Sequence, residues 1–508
     1  MSDTINNTND TTSDVLLPGI SAADLVPTGK AVAVDAPVRL RTVNRFQTEL
    51  RPVAIDDLIG PDHFARVLWQ LVERWDMSSF DKAINARQGI CGRNATDPRV
   101  LLALWLYAAV KNMGSARELA RLCEEHRAFM WIAGGISLNH HTLSDFRKDH
   151  EAALDSILSQ MIATLSQGGA IQIKRIAQDG TRVRSCAGRR SFKMRTTLEE
   201  DMTKANAHIE KIKSQLHDTT ISPRKKAAKQ RAAEQRVQRI ENALEQLKLI
   251  EEAKAKQKNK PSKKSPAKAS ITDPESRLMR MPNGGVSPGY NIQFATVVDD
   301  SVAGPDAAAD TAEVVQPAAA ATAAAAGDTT ASTPVPADSI SSASEHQATQ
   351  NKPSPIRAIV GVSVTNAGAD VHQSVPMREQ VEKCTGCKIE EHLLDGGYIG
   401  LDQIDIAAAN NVTIYAPVPK SRKEGVDPHA PKSGDSQAVK EFRERMKTTE
   451  AKKIYKLRAS SIEPINGECK TYRGLNQILV RGTNKVRCVA LFAALAYNIV
   501  HFGSQLLA

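Results

Sequence analysis

Three carboxylates sit where chemistry is often done. Asp179 lies in QDGT at the end of an alternating run, Asp395 in LLDGGY after an apolar run, and Glu463 in YKLRASSIEPINGECK. Each Asp is followed by Gly, which lets the backbone turn sharply and approach a ligand. A loop carboxylate at a strand end is a common seat of chemistry. Three such groups brought together repel one another, and a divalent metal relieves that. Hard oxygen ligands suit magnesium, which keeps waters and binds phosphate. Two such ions about 4 Å apart stabilise both the attacking and the leaving oxygen of phosphodiester cleavage. Taken singly, an Asp-Gly pair is an ordinary turn. A second candidate metal pattern, Cys384-Thr-Gly-Cys387, lacks the further ligand pair that a structural zinc site needs, so it reads as two incidental thiols.

The elements that must position these groups follow from periodicity. DHFARVLWQLVERW places Phe64, Val67, Leu68 and Leu71 on one helix face. Asp97-Pro98 opens a second helix that stops near Gly114, and Ser115 begins a third with Ala116, Leu119, Ala120 and Leu122 apolar. After Gly134-Gly135, a turn leads into a helix carrying Arg147 and Lys148. Helix, short turn and basic helix are compatible with DNA binding, and equally with any helical bundle. Gly168-Gly169 ends the helical region. Residues 171–181 alternate as a strand that is expected to end at Asp179-Gly180, and 289–298 and 356–365 also read as strands. Short apolar runs follow at 392–397 and 411–418, with helices expected at about 436–450 and 484–502. Strands alternating with helices predict an α/β fold: a mixed sheet with helices.

The 508 residues are enough for about three domains. Net charge is +10, but residues 195–268 alone hold 19 Lys and Arg against 10 Asp and Glu. Within that segment Met202, Ile209, Ile212 and Leu216 form one stripe and Val237, Ile240, Leu244 and Leu247 another, interrupted at Pro223, which predicts a basic antiparallel helical hairpin. It is either a solvated insert or a DNA-backbone contact, which needs positive charge but no base reading. Residues 1–40 read as a mobile tail, and 301–355, with 17 alanines and no aromatic, as a disordered insert. Apolar runs at 101–110 and 489–500 are shorter than the ~20 residues of a membrane span. The N-terminus lacks a signal-peptide pattern, and seven scattered cysteines suit a reducing compartment. A cytoplasmic protein with no membrane partner is expected.

The chain resembles the DDE transposases of bacterial insertion sequences. The resemblance rests on HRAFMWIAGGISLNHHTLSDFRKDH, QDGTRVRSCAGRRSFKMRTTLEE, TDPESRLMRMPNGGVSPGYNIQFATVV, LLDGGYIG and the run from Tyr455 to Ile499, in that order. It implies an RNase H-like catalytic domain (169–194, 269–300 and 356–503) preceded by an all-α DNA-binding domain (41–168) and interrupted by the hairpin insert. Asp179, Asp395 and Glu463 match the triad, and Tyr455, Arg458, Glu463 and Lys470 the family's Tyr-Arg-Glu-Lys signature. Six residues separate Glu463 from Lys470, as in that signature, while four separate Arg458 from Glu463, one more than in some branches. Glu468 is the rival for the third carboxylate; on one helix it points ~140° away from Glu463.

The resemblance further implies magnesium, or manganese, held by Asp179, Asp395 and Glu463, with Arg458, Lys470 and Tyr455 in the DNA- and phosphate-binding set; by residue type Tyr455 suits packing better than chemistry. The partners implied are double-stranded DNA (the element's terminal repeats and a target) and a second copy of the chain. Two alternatives stand beside a transposase: a catalytically silent DNA-binding protein derived from one, and an RNase H-like nuclease that cleaves without joining.

Overall fold

A computed structural model describes residues 54–87, 89, 91, 94–214, 222–256, 266–298, 357–419 and 427–508. The expected tail at 1–40 and the Ala-rich insert at 301–355 lie outside the described residues, as does most of the basic run at 259–268.

Helices come first: α1 (Phe64–Arg74), α2 (Ser78–Asp81), α3 (Pro98–Val110), α4 (Ala116–Glu125), α5 (Arg127–Ala133), α6 (His140–Asp149) and α7 (Glu151–Gln167). Their starts are chemically marked. Asp97 accepts from the Arg99 N–H ahead of Pro98, and Ser115 and Asn139 accept from Glu118 and His141. Helix α3 is apolar almost all round and is buried accordingly.

The chain then forms β1 (Arg175–Arg184), β2 (Phe192–Lys193), α8 (Arg195–Ser214), α9 (Pro223–Lys256), β3 (Ala269–Ser270), β4 (Arg277–Arg280), β5 (Val286–Val297) and β6 (Ile359–Thr365). It ends with α10 (Ser374–Thr385), β7 (Glu391–Leu393), α11 (Leu401–Ala409), β8 (Thr413–Tyr415), α12 (Gln437–Lys447), α13 (Thr449–Tyr472) and α14 (Thr483–Leu507). Across the sheet the order is β6-β5-β1-β7-β8, with β4 on the same edge of β5 as β6. The first three of these strands are antiparallel, and β1, β7 and β8 are parallel. An antiparallel meander extended by two parallel strands, with helices against it, is the RNase H-like fold.

The helical hairpin enters between β1 and β5. Helices α8 and α9 pack through Leu198, Ala205, Ile240, Ala243 and Leu247, a core separate from the main one. The pair β2–β3 sets Lys193 opposite Ala269, so the two roots of the hairpin lie side by side.

Helix α14 joins the N-terminal helices to the sheet. Arg487 donates to Glu151 and Asp155 of α7 at 2.6–2.7 Å and to the Val362 carbonyl of β6 at 3.0 Å. The Asn498 amide closes two 2.9 Å hydrogen bonds on the Ile359 backbone. By length and composition α14 could cross a membrane, but 72% of its apolar window is buried in protein, so it is a core helix.

Two expectations need correction. Strand β1 does not end at Asp179-Gly180: it stays paired with β5 as far as Arg184 opposite Gly289, so Asp179 is mid-strand and the Asp-Gly pair is no turn. Gly180 stays in the ladder, and the position has room for no side chain: a Cβ there would meet Gln293, Asp370 and Asn291 at 2.4–2.7 Å. Helix α13, absent from the expected elements, runs through Tyr455, Arg458, Glu463 and Lys470 despite Pro464 in its interior. Its Ala451, Ile462, Ile465 and Cys469 are buried, and that packing outweighs the ~3 kcal/mol interior cost of a proline.

Candidate functional site

The register of β1 on β7 pairs Ala177 with Leu393 in parallel. Asp395 follows the last paired residue of β7 by two positions, as Asp179 follows Ala177 on β1, so both carboxylates lie past the same end of this pairing. Beyond Leu393 the chain turns, and the Asp395 carboxylate caps a short 3-10 turn by accepting from the Gly396 N–H at 2.7 Å. The third carboxylate comes from α13, which packs over β1 and β5.

Arg458 is the link. It is 7% exposed. Its guanidinium lies 2.9 Å from one oxygen of Asp179 and 3.6 Å from Glu463. The other Asp179 oxygen accepts from the Asn466 amide at 3.0 Å. Burial raises the Asp179 carboxyl above its ordinary pKa; Arg458 opposes that, and the charges of Asp395 and Asp370 add to it. Burial lowers the Lys470 ammonium pKa, against the pull of Asp179. Tyr455 is partly buried beside the same groups: burial raises its hydroxyl, and Asp395, Asp179 and Glu463 raise it further. On the α13 wheel Arg458, Tyr455, Asn466, Lys470 and Glu463 fall within an arc of ~140°. Glu468 points elsewhere, held by Arg473 at 2.5 Å and His501 at 2.9 Å.

Two residues of this neighbourhood carried no sequence signal. Asn466 is a lone amide in a polar run, readable only once α13 is known to be a helix. Asp370, between β6 and α10, accepts from the Asn291 and Gln293 amides at 2.6 and 2.8 Å. The buried Tyr398 hydroxyl also reaches Gln293, donating to its amide oxygen.

The two expected DNA contacts on α6, Arg147 and Lys148, differ in placement. Arg147 is buried, with its guanidinium 4.5 Å from the Trp105 ring and donating to the Gly114 carbonyl. The reason is its place on α6, beside buried Leu143 and Phe146 on the core face. Lys148 is partly exposed and pairs with exposed Asp145 at 2.5 Å, which does not contradict its expected role. Arg458, expected on phosphate, is here committed to carboxylates.

The donor set is all hard oxygen, which fits a magnesium-class ion. Among the described residues, no three His, Cys, Asp or Glu side chains gather closely enough to hold a metal ion as they stand. Arg458 supplies the positive charge between β1 and α13 instead.

Two family models match the chain. A "Transposase domain (DUF772)" covers residues 53–149, which include α1 to α6. A "Transposase DDE domain" covers 422–502, which include α12, α13 and most of α14, and therefore Arg458, Glu463 and Lys470. Asp179 and Asp395 lie outside both. No curated protein and no solved structure matches the chain.

Proposed function

From a chain that belongs with the DDE transposases of insertion sequences, by the two transposase domains it carries, we propose an enzyme that cuts DNA at the ends of its own mobile element and joins the freed strands to target DNA. The observation that carries this reading is the shared guanidinium: Arg458 serves Asp179 of β1 and Glu463 of α13 at once, with Asp395 in the turn just after β7, the strand beside β1.

Asp179, Asp395 and Glu463 are the residues that would hold magnesium or manganese, in place of the charge Arg458 now supplies to Asp179 and Glu463. The bound cation supplies Lewis-acid stabilisation of the oxygens that attack and leave phosphorus. Arg458, released from the carboxylates, grips a phosphate through paired N–H groups, and Lys470 adds a point charge. Asn466 keeps Asp179 oriented, and the partial burial of Asp179 limits competing water. The basic hairpin α8–α9 tracks the DNA backbone. Bringing two element ends together calls for a second copy of the chain.

The test is cleavage of DNA carrying the sequences that flank the gene, with magnesium. Asp179→Asn, Asp395→Asn and Glu463→Gln each abolish strand cleavage while leaving DNA binding intact; full activity in any of them removes that residue from the site. Joined strand-transfer products exclude a nuclease that only cuts. A catalytically silent binder is favoured by one observation, that the carboxylates do not gather closely enough for a metal as they stand. Salt-sensitive binding by the native chain without cleavage would establish it.

A further inference from the structure

A cavity of about 300 Å³ opens between α4 and α6. Its wall takes in the first residues of both helices, Ala116 and Arg117 on α4 and His140 and His141 on α6, with Ser144 and Arg147 further along α6. No acidic residue lines it. The first N–H groups of a helix have no carbonyl within the helix to bond, and they carry the positive end of its dipole. Ser115 caps the N–H of Glu118 and Asn139 that of His141, which leaves the N–H groups of Ala116, Arg117 and His140 uncapped by these side chains. Two positive helix ends at one cavity suit an anion between them.

A second observation is independent of the helix ends. Arg147 is 7% exposed and lines the same cavity. Its Nη1 donates to the Gly114 carbonyl, but its buried Nε has no partner among the described residues. The Trp105 ring, 4.5 Å from the guanidinium, offers a π face and no counter-charge. Burial alone moves the Arg147 pKa, from 12.5 down to about 10, with no carboxylate opposing it. The group is therefore still a cation at neutral pH, and a buried charge without a partner is costly. The cavity reaches the surface at Arg117 and His141, both exposed, and all of these helical residues fall within the matched N-terminal transposase domain.

We propose that this cavity seats one phosphate of the DNA backbone, held by the helix-end N–H groups, the Ser144 hydroxyl and Arg117, with the Arg147 guanidinium supplying the charge beneath it. The proposal rests on the reading above that the chain binds DNA. Such a contact fixes the helices on the duplex and reads no base. The purely structural role for Arg147 is to pack on Trp105 and hold the Gly114 carbonyl. That role asks nothing of Arg117 or Ser144, so variants at those two positions separate it from phosphate binding.

The experiment measures duplex affinity of the full-length chain across a salt series, for native protein, Arg117→Gln, Ser144→Asp and Thr142→Asp, on two duplexes of unrelated sequence. Thr142→Asp puts the same charge on the same helix outside the cavity lining. Arg117→Gln and Ser144→Asp weaken binding to both duplexes about ten-fold, and the slope of log affinity on log salt becomes shallower by about 1. Thr142→Asp stays near native. Native affinity and slope in Ser144→Asp and Arg117→Gln overturn the proposal, while DNA binding by the native chain leaves the functional reading standing. Equal losses in Ser144→Asp and Thr142→Asp also overturn it, because they report charge on α6 and not the cavity. No DNA binding by the native chain overturns both readings. Melting in inorganic phosphate against chloride at equal ionic strength tells the anion's source: a rise that Ser144→Asp abolishes while its duplex binding stays native assigns the cavity to a free ion and overturns the DNA assignment.

Discussion

The Arg458 guanidinium lies 2.9 Å from the Asp179 carboxylate, with side-chain exposures of 9% and 22%. Two charges this far from water depend on each other. Removing one partner of a buried pair strands the other and costs about 3–5 kcal/mol, whereas the intact pair contributes much less net stability. The same contact places a protein cation between the carboxylates of β1 and α13.

Arg458→Met therefore destabilises the fold by about 3 kcal/mol in magnesium-free buffer, measured by urea unfolding. Millimolar magnesium recovers part of that loss in the variant and adds less to the native chain, because only the variant lacks the internal cation. Equal magnesium responses would mean that Arg458 and the ion do not share a position.

Glu463 and Glu468 separate by their partners. Glu463→Gln abolishes cleavage with little effect on stability, since its side chain is 60% exposed. Glu468→Gln retains cleavage but weakens the fold by about 1–2 kcal/mol, because Arg473 and His501 lose a charged acceptor. The reverse pattern would move the third carboxylate to Glu468. Part of this was legible in advance. Spacing alone set the two glutamates ~140° apart on any shared helix. Which of them faces β1 depended on how α13 packs.

Excising α8 and α9 is structurally mild, because β2 and β3 already hold Lys193 opposite Ala269. A version with 195–268 replaced by a short turn keeps the fold and binds DNA more weakly, with a shallower dependence of log affinity on log salt. An unchanged slope in filter binding would assign the basic charge of 195–268 to solvation alone.

His392 sets an acid limit. It lies on β7 between Ile176 and Ile414, fully buried, and neither ring nitrogen has a partner among the described residues. Burial, helped by the Arg378 guanidinium, pushes its pKa from 6.5 down to about 3. The fold thus favours neutral imidazole. That contribution is fully present above pH 6.5 and is lost as pH falls toward 3. His392→Leu matches native stability within about 1 kcal/mol at pH 7.5 and exceeds it at pH 5. Parallel pH profiles for the two proteins would show that His392 does not limit acid stability.

Much of the fold follows from local pattern. Asp97-Pro98 and Ser115 fix helix starts through their own backbone neighbours. The alternation ahead of Asp179 and the apolar run of β5 announce strands because a pleated chain repeats every two residues. The stripes of α8 and α9 announce a hairpin because helices repeat every 3.6. Helix α13 escaped for an equally local reason: Glu463-Pro464 and Gly467 disfavour a helix taken alone, and only the burial of Ile462, Ile465 and Cys469 against the sheet overrides them.

The sequence by itself determined the triad candidates Asp179, Asp395 and Glu463, the order of strands around the hairpin, and the concentration of basic charge in 195–268. The tertiary structure alone decided that Asp179 is mid-strand, that Asp395 caps the turn after the neighbouring strand, and that Arg458 and Asn466 serve Asp179. It also decided that Arg147 is buried and that Asp370 anchors the Asn291 and Gln293 amides. Periodicity and capping act between residues a few positions apart, so the chain displays them. Charge neutralisation and ligand geometry act between side chains nearly three hundred residues apart, as with Asp179 and Asn466. No local pattern encodes those distances, and they exist only once the sheet register and the packing of α13 have formed.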